Sequence, residues 1–122
     1  VSFGAGLLKH ANALAAALDR GMNSIDTAEQ YERGNSERTI GEVLKSRDRK
    51  SVFLTTKLNM TFNKQISKEA WRDRFMKCLE RLKTDHVECF MIHMCTLAQV
   101  LKKRFHTAAP MKMAAFGGPG AI

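Results

Sequence analysis

The sequence predicts an α/β fold with a parallel sheet, on three observations. Short apolar runs of strand length alternate with longer stretches whose apolar residues recur at helical spacing. Each return from one strand to the next takes about 30 residues, the length of a βαβ unit and more than a hairpin requires. Polar residues, Asp26, Lys57 and His93, stand at or just past the ends of three successive predicted strands.

Residues 1–3 read as the last part of a first strand. Gly4-Ala5-Gly6 then reads as a tight turn, in which glycine allows close approach of whatever lies above. Ala11, Leu14 and Leu18 recur at helical spacing, and Gly21 is placed for a left-handed helix stop. Residues 23–25 predict a second strand ending at Asp26. Asn35 or Ser36 is the expected N-cap of a second helix, with Glu37 favoured in its first turn and Ile40, Val43 and Leu44 as its apolar stripe. Residues 51–55 predict a third strand that delivers Thr56 and Lys57 at its end. Ser67 is then expected to cap a third helix with Trp71, Phe75, Cys78, Leu79 and Leu82 on one face. Residues 87–92 are nearly all apolar, as a buried parallel strand requires, and His93 follows directly. Leu97, Val100, Leu101 and Phe105 predict a fourth helix over 96–106, which Ala108-Ala109-Pro110 breaks. One domain is thus expected over 1–106, with a disordered Gly/Ala/Pro-containing tail over 107–122.

An open doubly wound sheet and an eight-stranded barrel both produce this order. No G-x-G-x-x-G opens a helix here, whereas barrel enzymes keep their chemistry at strand ends. The TIM-type (β/α)8 barrel is therefore preferred, with about its first four strands present.

The composition, 44% hydrophobic and 26% charged, is that of a globular domain. No run approaches the ~20 apolar residues of a membrane span, and the first residues lack a signal-peptide pattern, so no membrane partner and a cytoplasmic location are expected. The formal net charge is +8. Its Lys and Arg over 33–83 are interleaved with Glu37, Glu42, Asp48, Glu69, Asp73 and Glu80, which reads as a solvated helix surface rather than a nucleic-acid site. Only after Glu88 does the balance become one-sided. Cys78, Cys89 and Cys95 are odd in number and lack CxxC spacing, which predicts reduced, buried thiols. Cys89, His93 and Cys95 lie close in sequence but fall short of the four ligands of a structural zinc site, so no metal is expected. His10, His86 and His106 have no spaced partner and are expected on the surface.

Aspartate, tyrosine, lysine and histidine are the parts of a carbonyl-reducing acid/base site. Hydride delivery to a carbonyl leaves an alkoxide, which needs a proton donor and nearby positive charge. A phenol serves as donor when a cation beside it favours the phenolate, and a carboxylate keeps that cation charged and in place. Tyr31 is then the donor, Lys57 its activator, Asp26 the lysine's partner and His93 the group that orients the carbonyl oxygen. Singly, each has a plainer reading: a turn cap, a loop-packing ring, a surface lysine, a core histidine. The specificity lies in all four standing in register with successive strands.

Asp26-Thr27-Ala28-x-x-Tyr31, Gly34-Asn35-Ser36-Glu37-x-x-Ile40-Gly41, Thr55-Thr56-Lys57, Ser67-Lys68-Glu69, Leu79-x-x-Leu82-x-Thr84-Asp85-x-Val87 and Ile92-His93 occur in order. Together they resemble the aldo-keto reductases, from about Val1 to about His93. The resemblance implies an oxidoreductase barrel that uses NADP(H), or less often NAD(H), to interconvert small carbonyl and alcohol substrates. It assigns Asp26, Tyr31, Lys57 and His93 to the catalytic tetrad, and Gly4, Ala5, Gly6 and Asp26 to cofactor binding. It also implies further cofactor contacts from later strands, so this chain alone is expected to bind cofactor poorly and to have weak or no activity. The alternative is a non-catalytic fragment that self-associates through the open edges of a half-barrel.

Overall fold

The computed structural model describes residues 1–6, 8, 10–59, 66–93 and 111–112. Its elements are β1 (Ser2–Gly4), α1 (Ala11–Asp19), β2 (Ser24–Asp26), α2 (Asn35–Leu44), β3 (Phe53–Asn59), α3 (Lys68–Leu82), β4 (His86–Val87), β5 (Cys89–His93) and β6 (Met111–Lys112). Strands β1, β2, β3 and β5 pair in that order as one parallel sheet. The helix expected over 96–106 lies outside the described residues. So does the expected tail, apart from Met111 and Lys112, which pair antiparallel with β4.

The register gives the sheet two unlike faces, because side chains alternate along a strand and neighbouring parallel strands share a face at paired positions. Phe3, Ile25, Leu54, Thr56, Leu58 and Phe90 lie on one face, with Ile25, Leu54 and Leu58 fully buried. Leu14, Ile40, Leu44, Phe75, Leu79 and Leu82 complete this core, and the Phe75 and Phe90 rings meet at 4.6 Å. Ser24, Asp26, Thr55, Lys57, Asn59, Met91 and His93 occupy the other face. That face is the more polar, and Met91 on it is exposed.

Ser67 caps α3 as expected, its Oγ accepting the Ala70 N–H at 3.1 Å. The cap of α2 is different. Gly34, with φ +86°, precedes the helix, and neither Asn35 nor Ser36 caps it. Ser36 is fully buried and donates instead to the Ala5 carbonyl at 2.8 Å, tying α2 to the turn after β1.

Glu37 is not part of a solvated surface. It is fully buried, accepting from Thr56 Oγ1 and from Arg81 Nε, both at 2.6 Å. A buried carboxylate is tolerated when it is paired and hydrogen-bonded, and this one joins α2, β3 and α3. Cys78 lies beside it, and burial, reinforced by Glu37, pushes its thiol up to about 12. It is a protonated core residue with no nucleophilic character at neutral pH. Cys89, by contrast, is only partly buried.

The single strand expected over 87–92 is divided at Glu88, and β5 is half-buried rather than covered on both faces. The Glu88 carboxylate accepts the Leu54 N–H at 2.7 Å, a donor that strand pairing would otherwise use. It also takes Arg49 Nη2 at 2.9 Å, and His86 Nε2 lies 3.1 Å away. His86 therefore has acidic partners, Asp85 on its other nitrogen included. Burial works to raise the Glu88 carboxyl, but the bonds from Arg49 and Leu54 outweigh it and hold the group below its ordinary value. Glu88→Gln is expected to destabilise the fold by about 1–3 kcal/mol at neutral pH, since it removes a charge-assisted acceptor. A carboxyl depressed by folding contributes fully above its unfolded value, about 4.3, and loses that contribution as the pH falls through its folded value. Urea midpoints of the two proteins should thus differ at pH 7 and converge in acid. A constant gap would contradict this role.

Candidate active site

Asp26 ends β2, and its carboxylate is 39% exposed on the open face. Lys57 does not stand beyond the end of its strand as expected. It is inside β3, which runs on to Asn59 because β5 pairs with it through Lys57↔Met91 and Asn59↔His93. Thr55, Lys57 and Asn59 thereby share the face of Asp26. The Lys57 ammonium lies 2.7 and 2.8 Å from the two Asp26 oxygens and donates to the Thr27 carbonyl at 3.0 Å. The ammonium is thus held by an ion pair and a backbone carbonyl, and only 11% of the Lys57 side chain is exposed.

Tyr31 begins a tight turn after β2, its N–H donating to Ala28 O at 3.1 Å. Glu32 and Arg33 come next with φ of +48° and +56°, ahead of Gly34. Left-handed conformations cost non-glycine residues about 1–2 kcal/mol each, so this turn is held by its surroundings. Lys57 Nζ lies 5.2 Å from the centroid of the Tyr31 ring, within cation–π range. His93, the last residue of β5, meets the same ring edge-on, at 5.8 Å between centroids and 89° between planes. Its Nδ1 is buried without a hydrogen-bond partner among the described residues.

The structure thus brings Asp26, Tyr31, Lys57 and His93 together. Gly4 pairs in register with Asp26, and a Cβ at Gly4 or Gly6 would meet nothing within 4 Å among the described residues. Their backbone is open to an approaching ligand. Ala5 between them is fully buried, its N–H donating to Asp26 O at 2.9 Å and its carbonyl accepting from Ser36 and Leu8. It is a core residue of the turn rather than part of an open surface. Among the described residues no group of His, Cys, Asp and Glu is arranged to hold a metal ion.

Sequence reasoning passed over Glu29, Asn59 and Arg74. Glu29 N–H donates to Lys57 O at 3.0 Å, its carboxylate accepts the Asn59 N–H at 3.2 Å, and it pairs with Arg74. The signal was a carboxylate inside the strand-end motif itself, between Asp26 and Tyr31.

Residues 8–107 match the sequence profile of the Aldo/keto reductase family. The chain belongs to the aldo/keto reductase family. Aldo-keto reductase YhdN of Bacillus subtilis (strain 168) is 35% identical over 86 residues, which cover 66% of this chain and 26% of YhdN. Morphine 6-dehydrogenase of Pseudomonas putida is 36% identical over 93 residues, covering 75% of this chain and 29% of that enzyme. An aldo/keto reductase structure from Klebsiella pneumoniae, in complex with NADP and acetate, superposes with a TM-score of 0.67 at 28% identity, over 75% of this chain and 34% of that one. The parallel β/α arrangement seen here is therefore that of part of a reductase barrel. The chain spans less than a third of the length of the two curated relatives.

Proposed function

We propose that Asp26, Tyr31, Lys57 and His93 form the acid/base site of an NAD(P)H-dependent oxidoreductase that interconverts small carbonyls and alcohols. One observation carries this reading: a lysine held by an aspartate and a backbone carbonyl, beside a tyrosine ring that a histidine meets edge-on. Tyr31 gives its proton to the carbonyl oxygen as charge develops there. The ammonium of Lys57 stabilises the negative charge left behind, and Asp26 keeps that ammonium in place. His93 directs a ring nitrogen at the carbonyl oxygen and so fixes its orientation.

NADP(H) is the preferred cofactor, as in the Klebsiella structure, and NAD(H) the alternative. When bound, it supplies or accepts the hydride. The open backbone at Gly4 and Gly6 and the part-exposed Asp26 carboxylate fit the nicotinamide end of such a molecule. The cytoplasm, where this cofactor is abundant, is the proposed location; no helix among the described residues is long and apolar enough to cross a membrane.

These residues handle a proton and an oxygen, while a productive hydride geometry needs the cofactor clamped. Misplacement by about 1 Å costs on the order of 100-fold in rate. The 122-residue chain alone is therefore expected to reduce a simple aldehyde slowly or not at all with NADPH. Supplied with the part of YhdN outside the matched region, it should turn over. Robust reduction by the chain alone would show that the clamp is dispensable, and no turnover in either case would count against the site.

A second reading, a non-catalytic chain that self-associates, draws on the edges of β1 and β5, which pair with no further strand among the described residues, and on exposed Met91. A dimer in sedimentation that fails to bind NADPH would favour it.

A further inference from the structure

We propose that Glu29 and Arg74 form a clamp that positions Tyr31 over Lys57. The inference rests on the assignment of Tyr31 to the reaction and adds two positioning residues to it. Glu29 is two residues before Tyr31, and it grips the end of β3 twice. Its N–H donates to the Lys57 carbonyl at 3.0 Å, and its carboxylate accepts the Asn59 N–H at 3.2 Å. These bonds run from the Lys57 carbonyl to the Asn59 N–H and hold the turn against the strand that carries Lys57.

Arg74, from α3, closes the arrangement. Its guanidinium donates to the Glu29 carboxylate through Nε and Nη2, and Nη2 also donates to the Asn59 carbonyl at 2.9 Å. The guanidinium carbon lies 5.3 Å from the centroid of the Trp71 ring, within cation–π range. The Glu29 and Arg74 side chains are 18% and 26% exposed. At that depth an ion pair is weakly screened, and removing one partner strands the other. Burial lowers Arg74 from its ordinary value, yet a guanidinium remains a cation throughout the working range.

The clamp has a specific task because Tyr31 is joined to a strained turn. Glu32 and Arg33 hold left-handed conformations that a free loop would relax. With Glu29 fixed on one side and α2 on the other, the turn has no room to relax, and Tyr31 stays against Lys57 and His93. Loss of the clamp should release the ring while leaving the core intact.

The chain has a single tyrosine, so its ring resonances are unambiguous. In nuclear Overhauser spectra of the 122-residue chain, the Tyr31–His93 ring cross-peak reports positioning, and the Phe75–Phe90 cross-peak reports the core. Glu29→Gln and Arg74→Met are each expected to weaken the first several-fold with the second unchanged. Arg74→Lys, which keeps the charge and loses the fork, should fall between. A full-strength Tyr31–His93 cross-peak in both Glu29→Gln and Arg74→Met would overturn the proposal. Loss of both cross-peaks together would also overturn it, since the pair would then be a stability element. Neither cofactor nor turnover enters this readout, so failure of the reductase assignment would be recognised separately, by activity surviving Tyr31→Phe.

Discussion

Tyr31→Phe is expected to lower the turnover number for carbonyl reduction by about 100- to 10,000-fold in a barrel completed with the remaining strands of YhdN. Phenylalanine keeps the ring that His93 meets edge-on and that Lys57 overlies, so the architecture of the site should survive. What goes is the hydroxyl, the group proposed to supply the proton. An interaction made chiefly in the transition state is lost from kcat, while cofactor affinity depends on other contacts and should change little. Steady-state kinetics with a simple aldehyde, together with an NADPH binding titration, check both halves. Unchanged kcat would rule out Tyr31 as the acid.

Gly41→Ala is expected to destabilise the fold by about 3 kcal/mol or more, and valine there to prevent folding. Helix propensity alone argues the other way, because alanine inside a helix is favoured over glycine by about 1 kcal/mol. Packing decides the sign. A Cβ on Gly41 would lie 2.5 Å from the Arg81 carbonyl oxygen and 2.9 Å from the Leu82 carbonyl carbon, both backbone atoms that no rotamer change can move. Helices α2 and α3 would have to separate, which would also stretch the buried Glu37–Arg81 pair between them. Urea denaturation of wild type and Gly41→Ala measures the effect. A more stable alanine variant would mean that the two helices do not approach this closely.

Much of the fold is legible in the sequence because local signals coincide with tertiary needs. Ser67 precedes an apolar stripe and caps it, and Gly21 sits where a helix must turn left-handed. Sequence and structure part where a polar residue is read by its type rather than by its partner. Lys57 reads as the end of its strand, yet the period-two alternation of Thr55, Lys57 and Asn59 continues on the open face, and pairing with β5 keeps the strand going. Glu37 reads as a first-turn surface carboxylate. Its partners, Thr56 and Arg81, are 19 and 44 residues away, and nothing local announces them. The roles of Glu88 and His86 are hidden for the same reason, since Arg49 reaches Glu88 from 39 residues earlier. Asp26, Lys57 and His93 are legible as a set because a parallel sheet converts regular spacing in sequence into one shared face, and Tyr31 follows Asp26 in the adjoining turn. The clamp of Glu29 and Arg74 is not, because an ion pair between a turn and a helix 45 residues away depends on packing and leaves no periodic trace.

The most direct measurement of whether these residues act as one site is a double-mutant cycle on deuteride transfer. NADPH deuterated at the transferring position and a simple aldehyde are incubated with the completed barrel carrying the wild-type residues, Tyr31→Phe, Lys57→Met or both, and the rate of deuterium appearance in the alcohol is followed by mass spectrometry. Residues that move one proton as a unit give grossly non-additive losses, so the double variant should be scarcely slower than either single one. Losses that multiply independently, or deuterium transfer that survives both substitutions, would contradict a shared acid/base site.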